Sequence, residues 1–490
     1  MTQRLAIVGA GPSGLAAAKA ALEYGVEPIV FDAAPSLGGL WRRKGGYTWH
    51  DMRTNLSKWT CAFSDYPWPD TADEFPLGSA VESYLQGYAS AFGVDRKVEC
   101  GTKVESVVPS GNKWLVKTSQ AAAPLEVDGV CVAGGTFARP AIPALDGIDQ
   151  FKGVVLHSCD FKEAAPFKNK RVAVVGASFS GIEIASHLAT HGVEVVILFE
   201  KAPWILPRYA PLGDGSETTM PLDLLLYRRS PAGTATPEPS LEDRYRRAAQ
   251  RFEAAFGNPG AVHSALRVAV DETPPFYAIS DLFLPHVKNR EILPIRERVK
   301  SLYDAGIVTE GDQRLPVDAI VFCTGYGVDF SFLDPAVRKA LAYDPSDNFV
   351  SHIAHRTVMR PELQNLSLVG LYRGPFFGII ELQARWAAAL LAGAVPRPSA
   401  ATAQAGMERE IAIRCQRPRP QFPHGEYVAF ADEIAGELGI FPVAASSGEM
   451  NIAVRQGPVV PAHYRLVGPH AKVELAESQI RSACSRAGFK

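Results

Sequence analysis

Gly9, Gly11 and Gly14, in LAIVGAGPSGLAAA at 5–18, have the spacing of a turn that receives a phosphate. The run LAIV reads as a buried strand. Gly9 makes the tight turn, Gly11 lets the backbone approach a pyrophosphate, and Gly14 lets the next helix pack close to the strand. Pro12 and Ser13 complete the turn. The helix that begins there aims its amide N–H groups and positive dipole end at the phosphates. The following strand, EPIVF, ends at Asp32, whose carboxylate can accept hydrogen bonds from an adenosine ribose. A purely structural turn is the rival reading. The strand before, the helix after and the acid at the right distance favour a dinucleotide.

The chain repeats the device at 172–185, VAVVGASFSGIEIA, with Gly176, Ser178 and Gly181. Ser178 stands where the first turn has its central glycine, and Phe179 and Ser180 lead into the helix. A plain turn of a parallel sheet is again the alternative. Two dinucleotide sites on one chain have a simple chemical use: one holds a flavin, the other a nicotinamide, and hydride crosses between the rings in a shared cleft. The second strand ends near Phe199 and Glu200. A carboxylate there favours a ribose 2′-OH and a cation favours a 2′-phosphate. Glu200 competes with Lys201, and Arg208 lies close in sequence. NADPH is the expected coenzyme, with NADH as the alternative.

The elements that must position these turns alternate along the chain. A strand–helix–strand unit at 4–31 is followed by a helix near 79–92 and alternating strands at 97–132. A second unit spans 171–199, a mostly helical and irregular region runs to about 305, and a strand lies at 319–325. This pattern predicts an α/β protein with parallel sheets. Length agrees with more than one domain: 490 residues, 47% apolar and 21% charged. The net charge of −2 gives no bulk electrostatic case for nucleic acid or an anionic membrane. The start, MTQRLAIVGAG, runs straight into a strand without a signal-peptide pattern. The most apolar region, around 376–394, is interrupted by Glu381 and Arg385. A soluble cytoplasmic protein is expected. Seven cysteines, none in a C-x-x-C pair, predict neither a disulfide framework nor a metal centre. SPAGTATPEPS at 230–240 reads as a surface loop, and AVPRPSAATAQAG at 394–406 as a connector.

Between the two turns lies FKGVVLHSCDF, with Phe151, Gly153, His157 and Phe161 in the pattern F-x-G-x-x-x-H-x-x-x-F. This resembles the fingerprint of the flavin-containing monooxygenases, the class B flavoprotein monooxygenases. GGLW at 38–41 is similar to the family's flavin loop, and RTNLSK at 53–58 with FSDYPWP to its active-site segment. CTGY at 323–326, ELQARW at 381–386 and YRLVGP at 464–469 also look familial. The resemblance covers nearly the whole chain.

It implies two Rossmann-like domains of a three-layer ββα/αβα type. The FAD domain is discontinuous, 1–165 and 318–395. The NAD(P)H domain, 166–317, is inserted and carries a variable region at about 205–300. The tail, 396–490, packs near the cleft. The implied reaction moves one oxygen atom from a C4a-hydroperoxyflavin to a soft nucleophile, an amine nitrogen or a sulfur atom of a small molecule, in a site that excludes water. Beside the residues of the two turns, the implied FAD and coenzyme contacts are Gly39, Leu40, Trp41, Val104, Thr324, Gly325, Tyr326 and Gln383. Asn55 is the implied catalytic residue, since its amide can donate and accept hydrogen bonds without adding charge. His157, on the fingerprint, is expected to couple the domains rather than move protons. A homodimer is left open.

Asp32 stands where the family usually has Glu, one methylene longer. A Baeyer–Villiger monooxygenase is the first rival, but its fingerprint typically ends in Trp-Pro or Trp-Asp where this chain has Phe161-Lys162. A flavin disulfide reductase would need a redox pair of cysteines. An NAD(P)H-oxidising flavoprotein without oxygen transfer is the third alternative.

Overall fold

The computed structural model describes residues 2–212, 218–229, 240–269, 274–374, 376–424, 426–442 and 448–489. Two parallel sheets dominate it, and they have the same plan. In the first, the strand Arg4–Val8 lies between Glu27–Asp32 and Gly129–Val132; Val98–Cys100 and Leu366–Leu368 form the edges. In the second, Arg171–Val175 lies between Glu194–Leu198 and Ala319–Phe322; Ile292–Ile295 and Val154–His157 form the edges. Each central strand runs as an apolar stretch because both faces of its sheet are covered, as parallel strands require. Between strands of each sheet the chain inserts a three-stranded antiparallel meander. The first uses Val104–Ser110, Lys113–Thr118 and Leu125–Val127; the second uses Val299–Tyr303, Gly306–Thr309 and Arg314–Pro316. Chain order reverses at each central strand, so each glycine turn sits at the switch point where open sheets bind ligands.

Strand pairing moves the expected boundaries. Val154–His157, inside the fingerprint, and Ala319–Phe322 both belong to the second sheet, although the sequence reading assigns 154–157 and 319–322 to the FAD domain. A run as short as VVLH is enough to add an edge strand, and nothing in its composition says which sheet it joins. The expected mostly helical region is also richer in strands. Trp204–Leu206 pairs with Tyr277–Ile279, and Tyr209–Pro211 pairs with Thr219–Pro221. The helix Leu241–Phe256 is present, with Ser240 capping its first turn by accepting from Asp243 N. Of the loop at 230–240, only Ser240 falls within the described residues.

The helix Phe377–Ala392 is buried along nearly its whole length and packs on the first-turn helix Pro12–Glu23. Alanines at 16, 17, 20 and 21 allow that close approach. Glu381, Gln383 and Arg385 are buried within it, and each finds hydrogen-bonding partners. The tail closes on the same core through the helix Tyr427–Glu437 and Tyr464. Among the described residues no helix is long and apolar enough to cross a membrane.

Candidate active site

The two turns have almost the same backbone. Gly9 has φ of 105° and Gly176 of 108°, the left-handed region that a side chain disfavours. A Cβ on Gly14 would lie 1.7 Å from the Gly9 oxygen, and one on Gly181 would lie 1.8 Å from the Gly176 oxygen. The central residues differ in type but not in shape: Gly11 has φ −80° and ψ −172°, and Ser178 has φ −89° and ψ −169°. An extended residue can carry a side chain, so Ser178 leaves the second turn intact. The expected effect of Gly181→Ala follows. The protein stays yellow, because the first turn is untouched, while the KM for the nicotinamide coenzyme rises by at least about tenfold. Steady-state oxidation of the coenzyme, with the flavin spectrum as the folding control, reads it. An unchanged KM would remove the second turn from coenzyme binding.

The first cradle fits a dinucleotide. Asp32 Oδ2 accepts from Ala10 N at 2.7 Å and Oδ1 accepts from Ala34 N at 2.8 Å. Each oxygen keeps acceptor capacity for a ribose hydroxyl. Pro12 and Ser13 open the helix Pro12–Glu23. Gly39, Leu40 and Trp41 form a short turn against it, so close that a Cβ on Gly39 would lie 2.8 Å from the Gly11 Cα. Trp41 packs on the first core. Val104 starts the first meander and is buried beside Phe31.

A cleft of about 800 Å3 opens at the second turn and reaches Asn55. Ser178, Phe179 and Ser180 line it from one side, and Thr324, Gly325 and Tyr326 from another. His157 fastens the fingerprint to this rim. Its Nδ1 accepts from Cys159 N at 3.3 Å, which leaves Nε2 to donate to the Gly325 oxygen at 3.0 Å. Burial holds the ring below its usual pKa. A neutral imidazole with both nitrogens engaged ties His157 to Cys159 and Gly325. Tyr326 shares a hydrogen bond with Ser158 at 3.0 Å and stacks on Tyr47; burial pushes its phenol well up, so it stays protonated. Gln383 turns away from the cleft. It accepts from Gly370 N at 2.9 Å, donates to Thr357 Oγ1 at 2.7 Å and is fully buried.

Arg208 lies away from the end of the second strand, at Asn55. Its Nη2 donates to Asn55 Oδ1 at 3.4 Å and to Glu183 Oε2 at 2.6 Å, its Nη1 to Asp281 Oδ2 at 3.0 Å, and its Nε to the Thr54 oxygen at 3.2 Å. Burial would lower its pKa, but Glu183 and Asp281 outweigh burial and raise it. Nδ2 is therefore the end of the Asn55 amide that Arg208 does not engage. Asp223 anchors the same loop from below, accepting from Ser57 N at 3.0 Å, from Ser57 Oγ at 2.7 Å and from Thr60 Oγ1. At the other end of the cleft, Lys201 and Arg298 are both in the lining, and Arg298 pairs with Glu200.

Sequence reasoning missed several lining residues. Phe422 of the tail packs its ring at a tilt against Phe179 and Tyr277, and Gln421 locks it there through both backbone polar groups of Tyr277, each at 2.9 Å. Tyr227, Tyr372 and Phe376 continue this aromatic wall. None of them sits in a motif. An aromatic residue in a loop carries no sequence signal until the fold supplies its neighbours.

Comparison with known proteins agrees with this geometry. A family model described as flavin-binding monooxygenase-like matches residues 2–487. Flavin-containing monooxygenase 5 of Rattus norvegicus is 30% identical, covering 95% of this chain and 89% of the relative. Dimethylaniline monooxygenase [N-oxide-forming] 2 of the same species is 29% identical, covering 96% and 89%. Among solved structures, cyclohexanone monooxygenase of Rhodococcus sp. Phi1 bound to NADP+ superimposes with a TM-score of 0.64 at 18% identity, covering 89% of this chain and 97% of that one. The last similarity concerns the fold alone.

Proposed function

We propose, from the premise that this chain belongs to the flavin-binding monooxygenase-like family of FAD- and NADPH-dependent monooxygenases, that it places one atom of O2 on an amine nitrogen or a sulfur atom of a small molecule. One observation carries the reading. The second turn, which follows a strand of the second sheet, and Asn55, which lies in a loop far earlier in the chain, line the same cleft. FAD, when held by the first turn and Asp32, would supply the activation of O2, with NADPH as the electron donor. The chain's own residues then do three things. The two turns orient the cofactors; Asn55 offers an uncharged donor where they meet; the wall of Tyr227, Tyr277, Phe376 and Phe422 keeps water out and admits an apolar, soft substrate. The N-oxide-forming relative supports the nitrogen arm. Phe161-Lys162, in place of the tryptophan pair of Baeyer–Villiger enzymes, argues against a ketone.

The coenzyme end supports NADPH. Arg298 pairs with Glu200, which weakens the carboxylate's repulsion of a 2′-phosphate, and Lys201 adds positive charge beside it. One experiment tests the whole reading. Purified protein is supplied with O2, either coenzyme, and in turn a tertiary amine, a thioether and a cyclic ketone. The expected products are N-oxide or sulfoxide, with kcat/KM higher for NADPH. Lys201→Ala narrows the NADPH preference by about tenfold. Lactone as the sole product would overturn the substrate class, and an NADH preference would overturn the coenzyme assignment.

A further inference from the structure

Outside the cleft, three side chains converge where the two sheets' loops meet. His187 and His191 lie four residues apart on the helix Phe179–Thr190 and its C-terminal cap, so they share a face. Asp51 reaches them from the loop that leads to Asn55. A ligand atom from each of the three lies within 4.8 Å of the others. The geometry points to a divalent transition-metal site, of the zinc class, held by Asp51, His187 and His191.

The chemistry of the donors fits. Two imidazoles with one carboxylate form a set that zinc and its neighbours accept, with water completing the shell. His191 Nδ1 bonds the His187 backbone oxygen at 2.8 Å, which fixes its tautomer and turns Nε2 outward as the ligand atom. This is the outer support that metal-bound histidines ordinarily have. The His187 ring is braced edge-on by Phe161, and its Nδ1 is 4.0 Å from Asp51 Oδ2. His50 steadies the other carboxylate oxygen, with its Nδ1 2.8 Å from Asp51 Oδ1. A tetrahedral ion needs its ligand atoms about 3.4 Å apart, so side-chain rotations of about 1 Å close the site.

The loop carrying Asp51 is itself tied down. His50 N donates to the Lys162 oxygen at 2.9 Å, and Trp49 packs on Phe161. A bound ion therefore joins the loop before Asn55 to the helix of the second turn. It adds one link between the two halves of the cleft at a point that touches neither cofactor cradle.

The test uses the full-length FAD-loaded protein, affinity tag removed, dialysed against a chelator and then titrated with Zn2+ alone. Equilibrium dialysis with elemental analysis should find one tightly held ion per chain. His187→Ala and the more exposed His191→Ala should each lose that ion, while His470→Ala keeps it; flavin absorbance reports that every variant remains folded. The inference is overturned if wild type holds no zinc, or if the His187→Ala/His191→Ala double variant holds as much as wild type.

Discussion

Asn55→Ala should keep its flavin and still consume NADPH, while the yield of oxygenated product per NADPH falls about 100-fold and hydrogen peroxide rises to match. The magnitude follows from what is removed. A single well-placed neutral donor in a dry site contributes about 3 kcal/mol where charge develops. Here the donor is placed rigidly. Arg208 holds Asn55 Oδ1, the Glu183 and Asp281 carboxylates hold Arg208, and Asp223 pins the loop through Ser57 and Thr60. Asn55→Asp makes the sharper comparison. It keeps the acceptor facing Arg208, where an ion pair strengthens the contact, and replaces the NH2 donor with a second, acceptor-only oxygen. If the donor is what the reaction uses, both variants lose coupling alike. Retained coupling in Asn55→Asp would show that the amide only shapes the loop. Simultaneous measurement of NADPH consumed, product formed and peroxide released separates the outcomes, and the flavin spectrum confirms that the first cradle is intact.

The features legible in the sequence are those that one short segment satisfies alone. Gly9, Gly14, Gly176 and Gly181 announce themselves because a positive φ, or a Cβ less than 2 Å from a backbone oxygen, is a local demand that only glycine meets. Ser178 was readable for the converse reason: its backbone is extended, so the departure from glycine cost nothing. Arg208 shows the limit. Its place in the chain suggested the coenzyme phosphate, yet the strand Trp204–Leu206 carries it across to Asn55, which lies 153 positions earlier. The same holds for Phe422 on its wall, and for Asp51 beside His187. Each is a relation between distant segments, and no periodicity or spacing encodes it. The strands at 154–157 and 319–322 were visible as strands, but which sheet they join is decided by pairing, which a four-residue run does not specify.

Arg465→Met should cost about 3–5 kcal/mol of unfolding free energy, read as an earlier midpoint of flavin release in urea. Arg465 lies in YRLVGP and Glu381 in ELQARW, two segments that resemblance singled out without giving them work. Arg465 is fully buried. It donates to Glu381 Oε1 at 2.8 Å, Ser64 Oγ at 2.8 Å and Glu23 Oε1 at 3.1 Å, and it stands 3.3 Å from Asp65 Oδ2. Lys19 completes the group, bridging Asp65 at 2.5 Å and Glu23 at 2.7 Å. Removing the guanidinium leaves three carboxylates on one buried lysine, and an uncompensated charge inside a protein costs more than the intact pair contributes. The network's acid response has a definite sign. Burial would raise the Glu381 pKa, but Arg465 and Lys19 outweigh it and hold the carboxyl down at about 2. Its share of stability is therefore complete above its ordinary value of 4.5 and is lost as pH falls from there towards 2. Asp65 works against this, since burial and the Glu381 charge raise its pKa, so its ionised form is the disfavoured one. Glu381→Gln keeps one oxygen to accept from Ser64 Oγ and Arg465 Nη2, gives up the acceptor for Ser64 N and removes the titration, so the variant should lose less stability than Arg465→Met and show a shallower decline between pH 4.5 and 2. Because Ser64 and Asp65 belong to the segment that follows Asn55, and Lys19 and Glu23 to the helix of the first turn, the tail's arginine holds the first turn's helix and that segment to one another. A wild-type midpoint for Arg465→Met would mean that the apolar packing of Tyr464 and the helix Tyr427–Glu437 does that alone.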